Sequence, residues 1–224
     1  MSVELLVFSR TAGYRHDSIP AGVRALRELA VDHGVEVTAT EDEAVFTPDR
    51  LAGVAAVVFL NTSGEVLDAG QRRAFEGYLR AGGGFVGVHA AADTGYDWPF
   101  YGRLVGAYFS DHPPQVQRAT LVVTDRDHPA TAHLGPTWVR EDEWYNFRST
   151  VPGAARVLVS LDVSSYQGST MGAGHPHAWC AEVAGGRSFY TAGGHTVAAY
   201  DEPDFRAHLW GGVTWAAGRA GGAG

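Results

Sequence analysis

Gly82-Gly83-Gly84-Phe85-Val86-Gly87-Val88-His89-Ala90-Ala91 is the stretch on which the fold turns. Phe85 to Val88 form a short, continuous apolar run, the pattern of a strand buried on both faces of a parallel sheet. The glycines before it end a helix, and the small residues after it permit a tight turn into the next element. Such a turn lifts one side chain out of the sheet and aims neighbouring backbone N–H groups at a reacting atom. The side chain lifted here is His89, expected at the carboxyl end of a central strand and lining the largest polar cleft.

Working outward, Leu5 to Phe8 and Val54 to Leu60 repeat the buried-strand pattern, and Val35 with Val37 marks another strand. Between them, a helix is expected to begin near Ser18 and Pro20, with Ile19, Val23, Leu26 and Ala30 on one face. Asp68 and Gln71 have the spacing of a capping box at the head of a second helix, which carries Phe75, Tyr78 and Leu79 on one stripe. Alternating strands and helices predict right-handed βαβ units, hence an α/β fold with a doubly wound, mostly parallel sheet flanked by helices. Ligands in such sheets bind at the carboxyl ends of the strands.

From about Gln115 the pattern changes. Val116 to Thr124 and Val157 to Leu161 alternate, while Ala178 to Val183 and Ser188 to Tyr190 read as a hairpin across Gly185-Gly186. An added β-rich C-terminal part is therefore expected, closed by a helix from Pro203 that turns Phe205, Leu209, Val213 and Ala216 inward. The chain reads as a single domain over residues 1–217, with a disordered tail at 218–224.

Of the 224 residues, 45% are apolar and 19% charged, enough to build a substantial core. The net charge of −8 repels polyanions, so nucleic acid and anionic membranes are not expected partners, and a neutral small molecule fits better. The single cysteine, Cys180, excludes an intrachain disulfide framework and a cysteine-rich zinc site, consistent with a reducing compartment. Met1 to Phe8 has no basic leader and no apolar run reaches membrane-spanning length, so a cytoplasmic location is expected. A homo-oligomer is left open.

Several of the ten histidines fall in loops beside glycine or proline: His16, His112, His175, His177 and His195. Rigidly held loops are where sites are built. The proline of His175-Pro176-His177 reads as a turn, and His33 and His208 read as helix-surface residues. Glu141 and Asp142 read as a solvated acidic turn. Glu143, beside Trp144 and Tyr145, is expected to be partly buried, which would raise its pKa toward the range useful for acid–base work. Trp98, Tyr101, Trp144, Tyr145 and Trp179 offer flat faces of the kind that pack on sugar rings, and core filling competes for all of them.

Six motifs in order carry a resemblance: FSRTAGYRHDSI (8–19), GGGFVGVHAA (82–91), LVGAYFSDHP (104–113), DRDHPAT (125–131), EDEWYNF (141–147) and HPHAWCAEVAGGRSFYTAGGH (175–195). Together they resemble the ThuA-like (trehalose utilisation) family over nearly the whole chain. The resemblance implies a class I glutamine amidotransferase-like fold. Amidotransferases resemble G-x-C-x-G at the elbow, whereas this chain has Gly87-Val88-His89-Ala90-Ala91, so the nucleophilic thiol is missing and Cys-dependent glutamine hydrolysis is not expected.

The family's association with sugar utilisation implies an enzyme of carbohydrate catabolism, a lyase, hydrolase or isomerase acting on a sugar, keto-sugar or trehalose-derived glycoside. A ketone acidifies the adjacent C–H, so such chemistry needs a base, an acid and a donor to the developing oxyanion. His89, His112, Glu143 and His195 are the candidates for those catalytic roles, with Arg15, His16, Tyr145 and Trp179 contacting substrate. The same His89, His112, Glu143 and His195 could instead hold a divalent metal as cofactor, since imidazole and carboxylate suit zinc, manganese or iron. The alternative is a non-catalytic module that binds a sugar or partners a dehydrogenase.

Overall fold

The computed structural model describes residues 3–218, so the tail read over 218–224 lies, apart from Gly218, outside the described residues. In chain order the elements are β1 (Val3–Phe8), α1 (Ile19–Asp32), β2 (Val35–Thr40), α2 (Pro48–Leu51), β3 (Val54–Leu60), α3 (Ala69–Arg80) and β4 (Gly84–Val88). There follow α4 (Pro99–Val105), β5 (Phe109–Asp111), β6 (Gln117–Val123), β7 (Thr137–Asp142), β8 (Asn146–Phe147), β9 (Arg156–Leu161), β10 (His175–Val183), β11 (Gly186–Thr191) and α5 (Pro203–Ala216). Short 3-10 turns fill His89–Asp93 and Ala198–Asp201.

A nine-stranded sheet in the order β2-β1-β3-β4-β11-β10-β9-β6-β7 runs through the molecule, and β5 and β8 pair as a small ribbon beside it. Strands β2, β1, β3, β4 and β11 are mutually parallel. Each later step, β11 to β10 to β9 to β6 to β7, is antiparallel. Four reversals return β7 to the direction of β11, so the carboxyl ends of both open on the same edge.

The apolar runs are continuous because both faces are covered. Leu5 and Val7 pack with Leu26, Val58, Phe205 and Leu209 on one side, while Leu6 and Phe8 meet Phe59, Phe75 and Leu79 on the other. Alternate residues of one strand thus enter two different cores. The capping box forms at Asp68 and Gln71 as its spacing requires. Ser18 precedes α1 but does not cap it; its hydroxyl donates instead to the carbonyl of Gly194, 3.0 Å away. Pro176 lies within β10 rather than at a turn, beside an irregularity in the pairing with β9. Among the described residues no helix is long and apolar enough to cross a membrane.

Candidate functional site

The site is built where the parallel strands end. Val88 is the last residue of β4, and His89 follows it in a left-handed backbone conformation with φ 48°. One strand over, Asn61 follows β3 with φ 50°. Non-glycine residues in this region are uncommon and mark turns held by their surroundings. Here the restraint is visible. The His89 carbonyl accepts from the Tyr190 hydroxyl at 2.8 Å, and the Asn61 side chain donates to Ser18 Oγ at 3.0 Å and to the Gly194 carbonyl at 3.2 Å.

After β11 the chain runs through Ala192, Gly193 and Gly194 to His195. Gly194 has φ 108°, and a Cβ there would lie 2.7 Å from the Tyr200 hydroxyl oxygen, so only glycine fits. Its carbonyl also accepts from Tyr200 at 3.2 Å. The wholly buried Asp142, last residue of β7, accepts from the backbone N–H of Gly194 at 2.9 Å and of His195 at 3.2 Å. Buried Arg140 holds Asp142 in turn, 3.2 Å away. His195 therefore sits on a loop clamped from both sides.

Those clamps bring His89, His195 and Glu143 together. His89 Nε2 and His195 Nδ1 each lie 3.3 Å from Glu143 Oε2, and His112 Nδ1 lies 3.2 Å from Glu143 Oε1. His16, delivered by the loop after β1, turns its ring edge-on to His89 and His195, with centroids 4.8 and 5.1 Å apart. Four histidines from four separate segments thus surround one buried carboxylate.

The ThuA family, described as trehalose utilisation, matches over residues 4–216. The chain belongs to the ThuA family. Its fold is similar to a ThuA-like protein of Bacteroides uniformis, at 22% identity and TM-score 0.80, covering 96% of this chain and 91% of that one. A ThuA-like protein of Parabacteroides merdae is similar at 20% identity and TM-score 0.80, with 98% and 92% covered. A cytoplasmic protein of Salmonella typhimurium is similar at 11% identity and TM-score 0.68, with 95% and 98% covered. No curated protein matches by sequence.

In this ThuA-family chain, the residues singled out from the sequence divide. His89, His112, Glu143 and His195 meet, and His16 joins them as part of the cluster itself. Tyr145 reaches it by laying its buried ring 4.1 Å from that of His89. The other two stand apart: Arg15 makes a bidentate pair with Glu41 on the surface, and Trp179 is buried, donating to the Val105 carbonyl and packing on Tyr190. Trp98, Tyr101 and Trp144 are buried as well, so core filling accounts for them. Hollows of about 620 Å³, lined by Leu29, His33 and Trp210, and of about 480 Å³, lined by Leu51, Arg73 and Tyr78, lie elsewhere. The cluster itself is nearly closed, with His112 and His195 exposing 38% and 24% of their side chains at its edge.

The expected rise in the Glu143 pKa is reversed. Burial alone pushes it up, but the imidazoles of His195 and His89 outweigh that and hold it well below the usual carboxylate range. Burial lowers the His16 pKa to about 3, and the neighbouring His89 and His195 push the same way. His195 is raised instead: burial opposes its charge, and Glu143 more than compensates. The cluster thus pairs a firmly ionised carboxylate with imidazoles of unlike basicity, the kind of spread from which acid and base roles are drawn.

Three further readings are corrected. Asp142 is not a solvated turn residue, as its partners above show. His208 is wholly buried rather than on a helix surface: its Nδ1–H donates to the Ala130 carbonyl and its Nε2 accepts from Thr191 Oγ1, so it braces the end of β11. His175 and His177 are buried and are not among the four donors that converge on the cluster, and His175 Nε2–H donates to the Tyr145 carbonyl at 2.8 Å. Cys180, buried in β10 with its thiol pushed up to about 11 by burial, is no nucleophile. Sequence reasoning missed Asn61, whose one signal was that asparagine tolerates the left-handed region. It also missed the carbonyl of Ala192, for which a sequence offers none.

Proposed function

We propose that this chain is an enzyme of carbohydrate catabolism that acts on a sugar or keto-sugar, trehalose-derived or a similar glycoside, by acid–base chemistry at the His/Glu cluster. One observation carries the reading: four imidazoles meet the ionised Glu143 at the edge of the sheet where ligands of such folds bind. His112 and His195, the exposed members, are placed to meet substrate. One takes the proton from the carbon beside a ketone, and the other returns a proton to the oxygen that departs or to the enolate that rearranges. Glu143 stabilises the imidazolium that forms. A location in the cytoplasm and a neutral small-molecule partner fit the net charge of −8 and the free thiol of Cys180.

The test is to incubate the purified protein with trehalose and with its keto derivative, following both by NMR. Turnover of the keto compound is expected, with kcat reduced at least about a hundredfold in His195→Gln and in His112→Gln. Thermal midpoints close to wild type would assign these losses to chemistry. A protein that binds the keto-sugar but never converts it would belong instead with non-catalytic sugar-binding modules.

A further inference from the structure

The donor atoms of the cluster point to a ligand. His16 Nδ1, His89 Nε2 and His195 Nδ1 are all buried and make no hydrogen bond, although Glu143 Oε2 lies 3.3 Å from the latter two. Leaving several buried polar nitrogens without partners is costly, and sheets rarely tolerate it without a reason. His89 shows how its nitrogen is presented. Nδ1 lies 2.7 Å from the Ala192 carbonyl, which can only accept, so the proton is on Nδ1 and the Nε2 lone pair faces the cluster. A backbone carbonyl fixing the far nitrogen of an imidazole is the usual outer support of a metal-ligating histidine.

The spacing agrees. One donor atom from each of His16, His89, Glu143 and His195 can be chosen so that all four lie within 4.8 Å of one another. An ion bound tetrahedrally through bonds of about 2.0–2.2 Å separates its donors by about 3.3–3.6 Å. The two 3.3 Å separations on Glu143 already match such an edge. The remaining separations, all within 4.8 Å, would have to shorten on binding. His112 does not belong to the set: its Nδ1 donates to the Pro113 carbonyl at 2.7 Å, so the atom facing Glu143 carries a proton rather than a free lone pair.

We infer that His16, His89, Glu143 and His195 form a site for one divalent transition-metal ion, with His112 standing beside it as a proton-carrying group outside the shell. Neutral imidazole and carboxylate suit zinc, manganese or iron, and the four-donor spacing favours zinc. The inference takes its place at the site of the proposed sugar chemistry and rests on that reading only for what the ion would do. There it would act as a Lewis acid on a ketone or hydroxyl oxygen of the sugar. With His195 and Glu143 then engaged as ligands, the proton-carrying role would fall to His112, outside the shell. The binding itself stands on the donors alone.

Binding and turnover are therefore measured separately on the full chain. Protein stripped with a chelator is titrated with Zn²⁺ by calorimetry, and with Co²⁺ by visible absorption, which reports four-coordination. One ion per chain is expected, with the intense Co²⁺ bands of a tetrahedral site. His89→Ala and His16→Ala, shown by circular dichroism to be folded, should each weaken Zn²⁺ at least about tenfold, the scale seen even for outer-shell changes. His112→Ala should leave affinity within about twofold. Should His16→Ala fail to fold, His16→Gln with the Co²⁺ spectrum decides, since it keeps the bulk and removes the ring donor. Absence of saturable binding, or unchanged affinity in the His16 variant, overturns the site. Tight binding without conversion of any keto-sugar keeps the metal site and removes the sugar chemistry instead.

Discussion

His208 gives the sharpest test of how the end of β11 is supported. It lies wholly buried on α5, and burial, helped by the nearby Arg140 guanidinium and opposed by the hydrogen bond to the Ala130 carbonyl, holds its pKa down at about 3 against an ordinary value of 6.5. Its neutral form is thus the folded form. Because the folded pKa is depressed, the unfolded chain binds the proton first. The stabilisation is complete above about pH 6.5 and is lost as pH falls, down to about 3, where the folded state also takes the proton. Between pH 6 and pH 5 this one side chain should cost on the order of 1 kcal/mol of stability. His208→Gln keeps a donor for the Ala130 carbonyl and removes the titration. Urea unfolding of both proteins at pH 7, 6 and 5 isolates the effect, since the other buried histidines are common to both and cancel. Wild type should lose on the order of 1 kcal/mol more than the variant between pH 6 and 5. Equal losses would refute the account of His208 as a neutral brace.

Asp142→Ala leaves the N–H groups of Gly194 and His195 without their acceptor and a buried guanidinium short of a partner, so unfolding free energy should fall by about 3–5 kcal/mol; a loss under about 1 kcal/mol in urea titrations speaks against the clamp. Gly194→Ala forces a side chain into φ 108° against Tyr200, costing about 1–3 kcal/mol. Tyr200→Phe added to it should restore little, because the backbone strain remains. In chelator-treated protein, Glu143→Gln removes the charge that raises His195, so the NMR titration of His195 should move to lower pH. A midpoint that stays put would show that Glu143 does not govern it.

The sequence determined what depends on neighbours along the chain. Continuous apolar runs can only be strands covered on both faces, so Leu5 to Phe8, Val54 to Leu60 and Phe85 to Val88 announced the parallel half of the sheet, and the glycines around β4 announced the turn that lifts His89. Parallel strands put their carboxyl ends on one edge, which is why His16, His89 and His195 were legible together as loop residues that follow strands. Burial and charge balance were not legible, because both are sums over groups far apart in sequence. Whether Glu143 titrates high or low depended on how many imidazoles surround it, whether Asp142 is solvated on what crosses β7, and whether Trp179 meets a ligand on what already covers its face. Only the folded chain brings Ala192 to His89 and Ser18 to Gly194, contacts that span 103 and 176 residues. Local pattern fixes the elements, and the distances that decide chemistry arise between elements.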